Sequence, residues 1–175
     1  VIIDSYFSWA KHSLNQYLSV KCIDQDVIFN WFRVFYLYGP GQKDKSLIPT
    51  LIKTIYKSET PQINTPMNKN DFVYVEDVAK AFARAVNVDL PSGVYNIGSG
   101  SASKVYDVCR IVEKEFFGLE NISSRVLENS IQVEEINFWA DMVKTKQALS
   151  MNFGTSLKDG IRQHILSMNL DARAL

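Results

Sequence analysis

The chain has 175 residues, 46% of them hydrophobic, and its 19 basic residues balance its 19 acidic residues. This length and composition suit a globular protein with a substantial core. Because the charges balance and form no long blocks, we expect no nucleic-acid partner. The apolar runs are too short to cross a bilayer, so we expect no membrane partner.

The chain contains two cysteines, Cys22 and Cys109, and their separation does not match the spacing of metal ligands. So few cysteines are typical of a reducing compartment, and residues 1–4 show no feature of a secretory signal. We therefore expect a cytoplasmic protein with reduced thiols, although a structural pair of the two stays open. His12 and His164 have no carboxylate or cysteine partner at ligand spacing, so no metal site is predicted.

The apolar periodicity predicts helices that alternate with strands. The predicted helices, in chain order, are 5–20, 46–57, 76–86, 106–117, 141–149 and 156–167. The predicted strands are 26–38, 72–75, 94–97 and a brief one at 125–127. Ser5 is the expected cap of the first helix. Alternating strands and helices predict an α/β layered fold rather than a bundle or a sandwich.

Three ordered motifs are the most informative part of the chain. Residues 33–42 read R-V-F-Y-L-Y-G-P-G-Q, residues 70–79 read N-D-F-V-Y-V-E-D-V-A, and residues 94–100 read V-Y-N-I-G-S-G. This set resembles the C-terminal half of the extended short-chain dehydrogenase/reductase family, which contains nucleotide-sugar epimerases, dehydratases and ketoreductases. Nowhere does a strand lead into the G-x-x-G-x-x-G turn that such enzymes use to hold a dinucleotide.

The resemblance covers essentially residues 1–175 and implies the C-terminal portion of such an enzyme, without its N-terminal dinucleotide-binding half. The implied fold is the C-terminal part of a Rossmann-type parallel sheet domain plus a small α/β substrate-binding domain. The implied activity of the intact protein is epimerisation, dehydration or 4-keto reduction of a nucleotide-activated sugar, with NAD or NADP as cofactor. The resemblance also implies a homodimer, and the fragment alone is expected to be inactive.

The expected catalytic residues lie at the start of the chain. The family carries Y-x-x-x-K on one helical face, where the tyrosine exchanges a proton and the lysine holds the nicotinamide ribose. Lys11 matches the lysine, but Phe7 occupies the tyrosine position. Tyr6, about 100° away around an ideal helix, is the candidate acid/base group. Proton transfer by another group, impaired catalysis, and Lys11 as a solvated helix residue are the alternatives.

The strand that ends at residue 38 and the helix after it supply the expected pocket. By resemblance, Phe35 and Tyr36 contact the cofactor, and Tyr36 also contacts the substrate at a position where many relatives carry asparagine. Ser46 and Leu47 resemble the start of the family's N-L-x-P turn, which touches the nucleotide diphosphate. A helix N-terminus favours an anion. The alternative role for Ser46 is a simple N-cap.

Two arginines that the family uses for the diphosphate are missing. Asn70 stands at the first arginine position and is predicted to bind substrate there. Residues 138–141, F-W-A-D, resemble the family's Y-W-A-D, and counting back places Ile131 and Glu134 at the second arginine and its aspartate. These departures support an alternative hypothesis, a noncatalytic binding or scaffolding relative that kept the fold.

Two carboxylates of the 70–79 motif have expected structural roles. Asp71 and Asp77 are predicted to anchor the loop and to cap the following helix, because aspartate favours such positions.

Overall fold

The computed structural model describes residues 5–118, 121–128 and 136–170. The helices are α1 (Tyr6–Asp24), α2 (Leu47–Tyr56), α3 (Val75–Val86), α4 (Val105–Phe117), α5 (Ile122–Glu128), α6 (Val143–Leu149) and α7 (Leu157–Ser167). The strands are β1 (Asn30–Val34), β2 (Tyr36–Tyr38), β3 (Lys69–Asn70), β4 (Phe72–Tyr74), β5 (Gly93–Ile97) and β6 (Ser103–Lys104). The predicted α/β class is confirmed.

The longer strands pair in parallel, as expected for a Rossmann-type sheet. Strand β1 pairs with β5, and β2 pairs with β4. The short strands β3 and β6 pair antiparallel. The carboxyl ends of β1 and β5 therefore meet at one edge, since Val34 lies opposite Ile97. Ligands of open parallel sheets bind at such an edge.

The prediction of a single strand at 26–38 is wrong, because this segment forms two strands, β1 and β2, which pair with different neighbours. The N–H of Phe35 donates to the carbonyl of Ile97 at 2.9 Å. The next N–H, that of Tyr36, donates instead to the carbonyl of Asp71 at 3.0 Å. Phe35 is thus the residue at which the chain leaves β5 and joins β4.

The brief strand predicted at 125–127 is also wrong, since these residues belong to α5. The carboxylate of Glu113, buried in α4, accepts the backbone N–H groups of Ile122 and Ser123 and so caps the start of α5. Ile122 and Val126, four residues apart, supply the buried face of the helix. This cap comes from another helix and leaves no local sequence signal.

The core surrounds β4 on both faces. Phe72 and Tyr74 point into a cluster with α2, α4 and α7, whereas Val73 points into a second cluster with α3 and β5. Strands of parallel sheets are commonly buried on both faces in this way. The burial explains why these three successive residues are apolar or aromatic.

The predicted caps and cysteines have mixed outcomes. Ser5 caps α1 as predicted, because its hydroxyl accepts the N–H of Ser8 at 3.2 Å. The capping role of Asp77 is wrong, since Tyr74 is the N-cap residue of α3 and Asp77 lies inside the first turn. Cys22 and Cys109 are both free, so the disulfide that the sequence left open is not formed.

Two kinds of feature are absent from the described residues, a membrane-crossing helix and a metal-binding cluster. Within residues 5–118, 121–128 and 136–170, no helix is both long enough and apolar enough to cross a membrane. The same ranges contain no group of three or more His, Cys, Asp or Glu residues that could hold a metal ion.

Candidate functional site

Two depressions adjoin at β1, one along the strand and the other at its carboxyl end. The first, of about 320 Å³, lies between α1 and β1 and is lined by Ser8, Lys11, His12, Asn15, Trp31, Phe32, Arg33 and Val34. The second, of about 460 Å³, is lined by Arg33, Val34, Phe35, Tyr36 and Phe138. Because Arg33 and Val34 line both, the two depressions adjoin.

Lys11 and Arg33 are the two cations that line the first depression, and Lys11 is the one that α1 supplies. Ser8 and Asn15 share its helix face, since residues three and four positions apart stack along one side of a helix, and His12 lines the same depression. The Lys11 ammonium lies 4.2 Å from the centre of the Phe7 ring, a distance suited to cation–π attraction. The described residues give Lys11 no carboxylate partner, so its donors remain available to hydroxyl oxygens.

Tyr6 lies apart from this surface. It is the first residue of α1, its side chain is 94% exposed, and it lines neither depression. The sequence-predicted partners Tyr6 and Lys11 are therefore not gathered at one place. His12, whose sequence context was tested only for metal ligation, lines the depression that contains Lys11.

The second depression has an aromatic wall, defined here as Phe35, Tyr36 and Phe138. The ring of Phe138 lies 6.0 Å from that of Phe35 and 5.8 Å from that of Tyr36, between ring centres. These tilted arrangements are favourable for aromatic pairs. Phe138 is 37% exposed and faces the depression. The F-W-A-D motif indicated only where the family's arginine would align, so Phe138 was not predicted as a site residue.

Hydrogen bonds hold the segment that carries Phe138. The N–H of Phe138 donates to the carbonyl of Lys69 at 3.3 Å, and the N–H of Lys69 donates to the carbonyl of Ile136 at 3.1 Å. Two residues after Phe138, the N–H of Ala140 donates to Asp71 Oδ2 at 3.0 Å. The segment therefore lies against β3 and the start of β4.

Asp71 is the anchor that the sequence predicted. Its carboxylate is fully buried and accepts the N–H and the hydroxyl of Ser99, both at 2.6 Å, and the N–H of Gly100 at 3.0 Å. The turn after β5 and the Phe138 segment are thus fastened to one side chain. Asp77 anchors a different loop, since its carboxylate accepts the N–H of Thr155 at 3.0 Å.

The remaining predicted site residues do not line the two depressions. Ser46 precedes α2 in an extended conformation, but its side chain makes no capping hydrogen bond. Leu47 packs against the core. Asn70 lies in β3 and is only 8% exposed. Ile131 and Glu134, the positions aligned with the family's second arginine and aspartate, lie outside the described residues.

Comparisons with known proteins identify the family. Residues 4–98 match the model of the NAD dependent epimerase/dehydratase family. The chain is 30% identical over 139 residues to an uncharacterised UDP-glucose epimerase of Bacillus subtilis, covering 76% of this chain and 42% of that protein. It is 29% identical over 92 residues to CDP-abequose synthase of Salmonella muenchen, covering 51% of this chain and 31% of that protein.

A solved structure supports the fold. The chain superposes on the UDP-glucuronic acid 4-epimerase of Bacillus cereus, in complex with a fluorinated UDP-sugar and NAD, with a TM-score of 0.81. The identity is 23%, and the match covers 95% of this chain and 53% of that one. The chain belongs to the NAD dependent epimerase/dehydratase family, within the extended short-chain dehydrogenases/reductases. It spans about a third to a half of the length of these three proteins.

Proposed function

We propose that this chain is the C-terminal portion of an NAD(P)-dependent epimerase, dehydratase or 4-ketoreductase that acts on a nucleotide-activated sugar. The observation that carries the proposal is that the depression with Lys11 and the depression with the aromatic wall adjoin, since Arg33 and Val34 line both. The aromatic wall lies at the carboxyl end of β1, the end at which this class of fold binds its ligands. The dinucleotide-binding half would belong to the intact protein.

The Lys11 depression suits part of a nicotinamide cofactor. NAD or NADP supplies or takes up the hydride when it is bound. Lys11 would donate hydrogen bonds to ribose hydroxyls, since no carboxylate among the described residues competes for it and the Phe7 ring holds its ammonium. Phe35 and Tyr36 would shield the reacting centre from water at the edge shared with the substrate.

The aromatic wall suits a sugar ring. The C–H face of a pyranose is apolar and packs against aromatic side chains, while its hydroxyls are left for polar groups at the rim. Tyr36 and Phe138 are the rings placed to make this contact. Ser46, Leu47 and Asn70 remain predicted contacts for the rest of the substrate. The names of the relatives, which contain UDP-glucose and CDP-abequose, support a nucleotide-linked sugar.

Substitutions on α1 test the acid/base group in the intact protein. If Tyr6 transfers the proton, Tyr6→Phe lowers kcat by about 10² to 10⁴, as expected for loss of a general acid/base. Tyr17→Phe is the matched control, because Tyr17 is another exposed tyrosine of α1. An unchanged kcat in Tyr6→Phe would assign the proton transfer to another group. Phe7→Tyr then asks whether a phenol under the Lys11 ammonium raises turnover.

A noncatalytic relative is the second candidate. It is favoured by Phe7, which occupies the place beside Lys11 where the family carries its tyrosine. Titration of the intact protein with NADH, followed by cofactor fluorescence, separates the two hypotheses. Binding that is weakened in Lys11→Ala supports the enzyme, whereas a protein with neither binding nor turnover supports the scaffold.

We further propose a cytoplasmic homodimer that forms through α1. Among the described residues of α1, only Asn15 is buried, and many large apolar side chains are exposed: Tyr6, Phe7, Trp9, Leu14, Tyr17, Val20 and Ile23. Light scattering of the intact protein should give twice the monomer mass. Val20→Glu should halve it, while Leu166→Glu, at an exposed position of α7, should not. A monomeric wild type would refute this part.

A further inference from the structure

The Asp71 carboxylate is one of three buried carboxylates among the described residues, with those of Asp77 and Glu113. It is fully buried, and its recorded partners are three backbone N–H groups and one hydroxyl. Burial of a charge is costly unless hydrogen bonds replace its water. Four donors that converge on two oxygens provide this replacement and also fix the positions of the segments that carry them.

The segments fastened by Asp71 are those that build the aromatic wall. The carbonyl of Asp71 accepts the N–H of Tyr36 at 3.0 Å, and its carboxylate holds Ala140, two residues after Phe138. Asp71 therefore contacts both parts of the wall: its carbonyl binds the backbone of Tyr36, and its carboxylate binds the segment that carries Phe138. The side chain of Asp71 also holds the turn after β5, which follows the strand paired with β1.

The close fit of this anchor depends on Gly98. A Cβ atom on Gly98 would lie 2.5 Å from Asp71 Oδ2 and 2.6 Å from the Cβ of Ala140. Both distances are far inside van der Waals contact, so a side chain here would displace the carboxylate or the Phe138 segment. The backbone of the turn can approach this closely only because residue 98 is glycine.

We propose that Asp71 is a positioning residue of the sugar subsite, which sets the separation between the Tyr36 and Phe138 rings. This inference rests on the proposed function, because the wall must bind a sugar for its geometry to matter. Asp71 does not line the depression and acts through the two rings. Small displacements of such groups can cost about tenfold to a hundredfold in function.

Asp77 provides a matched control within the same motif. It is also buried, at 5% exposure, and its carboxylate also accepts a backbone N–H, that of Thr155. Thr155 precedes α7 and lines neither depression. Asp77→Asn can keep an uncharged amide oxygen toward the Thr155 N–H, whereas Asp71→Asn must turn its amide hydrogens toward at least one N–H donor, because both oxygens of Asp71 accept N–H groups. Only Asp71 connects that loss to the aromatic wall.

The experiment compares Asp71→Asn with Asp77→Asn in the intact protein. Calorimetry measures the affinities for NAD and, with NAD present, for UDP-glucose and CDP-glucose, and the tighter sugar nucleotide serves as the probe. Asp71→Asn should weaken that probe about tenfold to a hundredfold and should weaken NAD binding less, since Tyr36 is the one ring of the pair that is also assigned to the cofactor. Asp77→Asn should lower the unfolding midpoint but change neither affinity.

Hydrogen exchange and a milder variant complete the test. The amides of Ser99, Gly100 and Ala140 should exchange faster in Asp71→Asn, and the Thr155 amide should exchange faster in Asp77→Asn. Ser99→Ala removes one of the four bonds and should weaken the probe in the same direction but less, which decides the question if Asp71→Asn does not fold.

The outcomes separate the inference from the function on which it rests. If wild type binds neither sugar nucleotide, the proposed function falls and the inference falls with it. If wild type binds the probe and both Asp71→Asn and Ser99→Ala bind it equally well, the inference alone is overturned. Equal weakening by Asp77→Asn would also overturn it, because the effect would then be one of stability.

Discussion

Gly160 offers a test of the packing between α7 and the sheet. In Gly160→Ala the new Cβ would overlap the hydroxyl of Tyr38, and it would lie 2.8 Å from the Cζ of Tyr38 and 3.0 Å from Cδ2 of Tyr74. Tyr38 is buried, and its hydroxyl donates to the carbonyl of Leu157 at 3.4 Å. The ring therefore has little room to retreat without disturbing α7.

Two opposing effects decide the sign of the change. Alanine is favoured over glycine inside a helix by about 1 kcal/mol. Overpacking a tight core costs about 1–3 kcal/mol, and three close contacts place Gly160→Ala near the upper value. We expect a net loss of about 1–2 kcal/mol, which lowers the unfolding midpoint by about 2–8 °C in a protein of this size.

Thermal and urea unfolding, followed by circular dichroism, measure this loss. Gly154→Ala is the control, because its Cβ would meet no atom within 4 Å, and it should be neutral or slightly stabilising. In a Tyr38→Phe background, which lacks the overlapping hydroxyl, Gly160→Ala should cost less by at least about 0.5 kcal/mol. A midpoint of Gly160→Ala at or above that of wild type would refute the packing argument.

Three further predictions concern buried polar groups. Glu113→Gln removes the charged acceptor at the start of α5 and should cost about 1–3 kcal/mol in urea unfolding; a loss below about 0.5 kcal/mol would contradict the cap. Burial lowers the pKa of His164 below its ordinary value of 6.5. Below pH 6.5 the unfolded chain therefore binds a proton at His164 more readily than the folded chain does. The free energy of unfolding should be highest above pH 6.5 and should fall as the pH drops. Midpoints measured from pH 7.5 to 5 should show this fall, and His164→Asn should reduce it. Burial raises the pKa of the Cys109 thiol to about 12. A thiol reagent at pH 7.5 should therefore modify only Cys22 in the native protein. Fast modification of Cys109 in a Cys22→Ser variant would contradict this prediction.

The longer helices could be predicted from the sequence because their signal is local. The window 106–117 matches α4, which begins one residue earlier, and 46–57 and 156–167 contain α2 and α7. In each, apolar residues recur at the helical period over ten residues or more, which is long enough to identify one buried face. The seven residues of α5 are too few for that, and its cap, Glu113, lies in another helix.

The candidate site could be predicted only in part. Motif resemblance indicated Lys11, Phe35 and Tyr36, and all three line the joined depressions. It also indicated Tyr6, which the structure leaves exposed away from them. Phe138 could not be predicted, because its contact with Tyr36 depends on hydrogen bonds from its own segment to β3 and Asp71.

By itself, the sequence determined the α/β class, the order of most helices and strands, and the family, because periodicity and short motifs are written in neighbouring residues. Tertiary structure alone decided that the strand divides at Phe35, that Phe138 completes the aromatic wall, and that His12 but not Tyr6 lines the depression with Lys11. These features join residues far apart in the chain or depend on which helix face is turned inward. Strand pairing and close packing settle such relations for the whole molecule at once, so no local pattern encodes them.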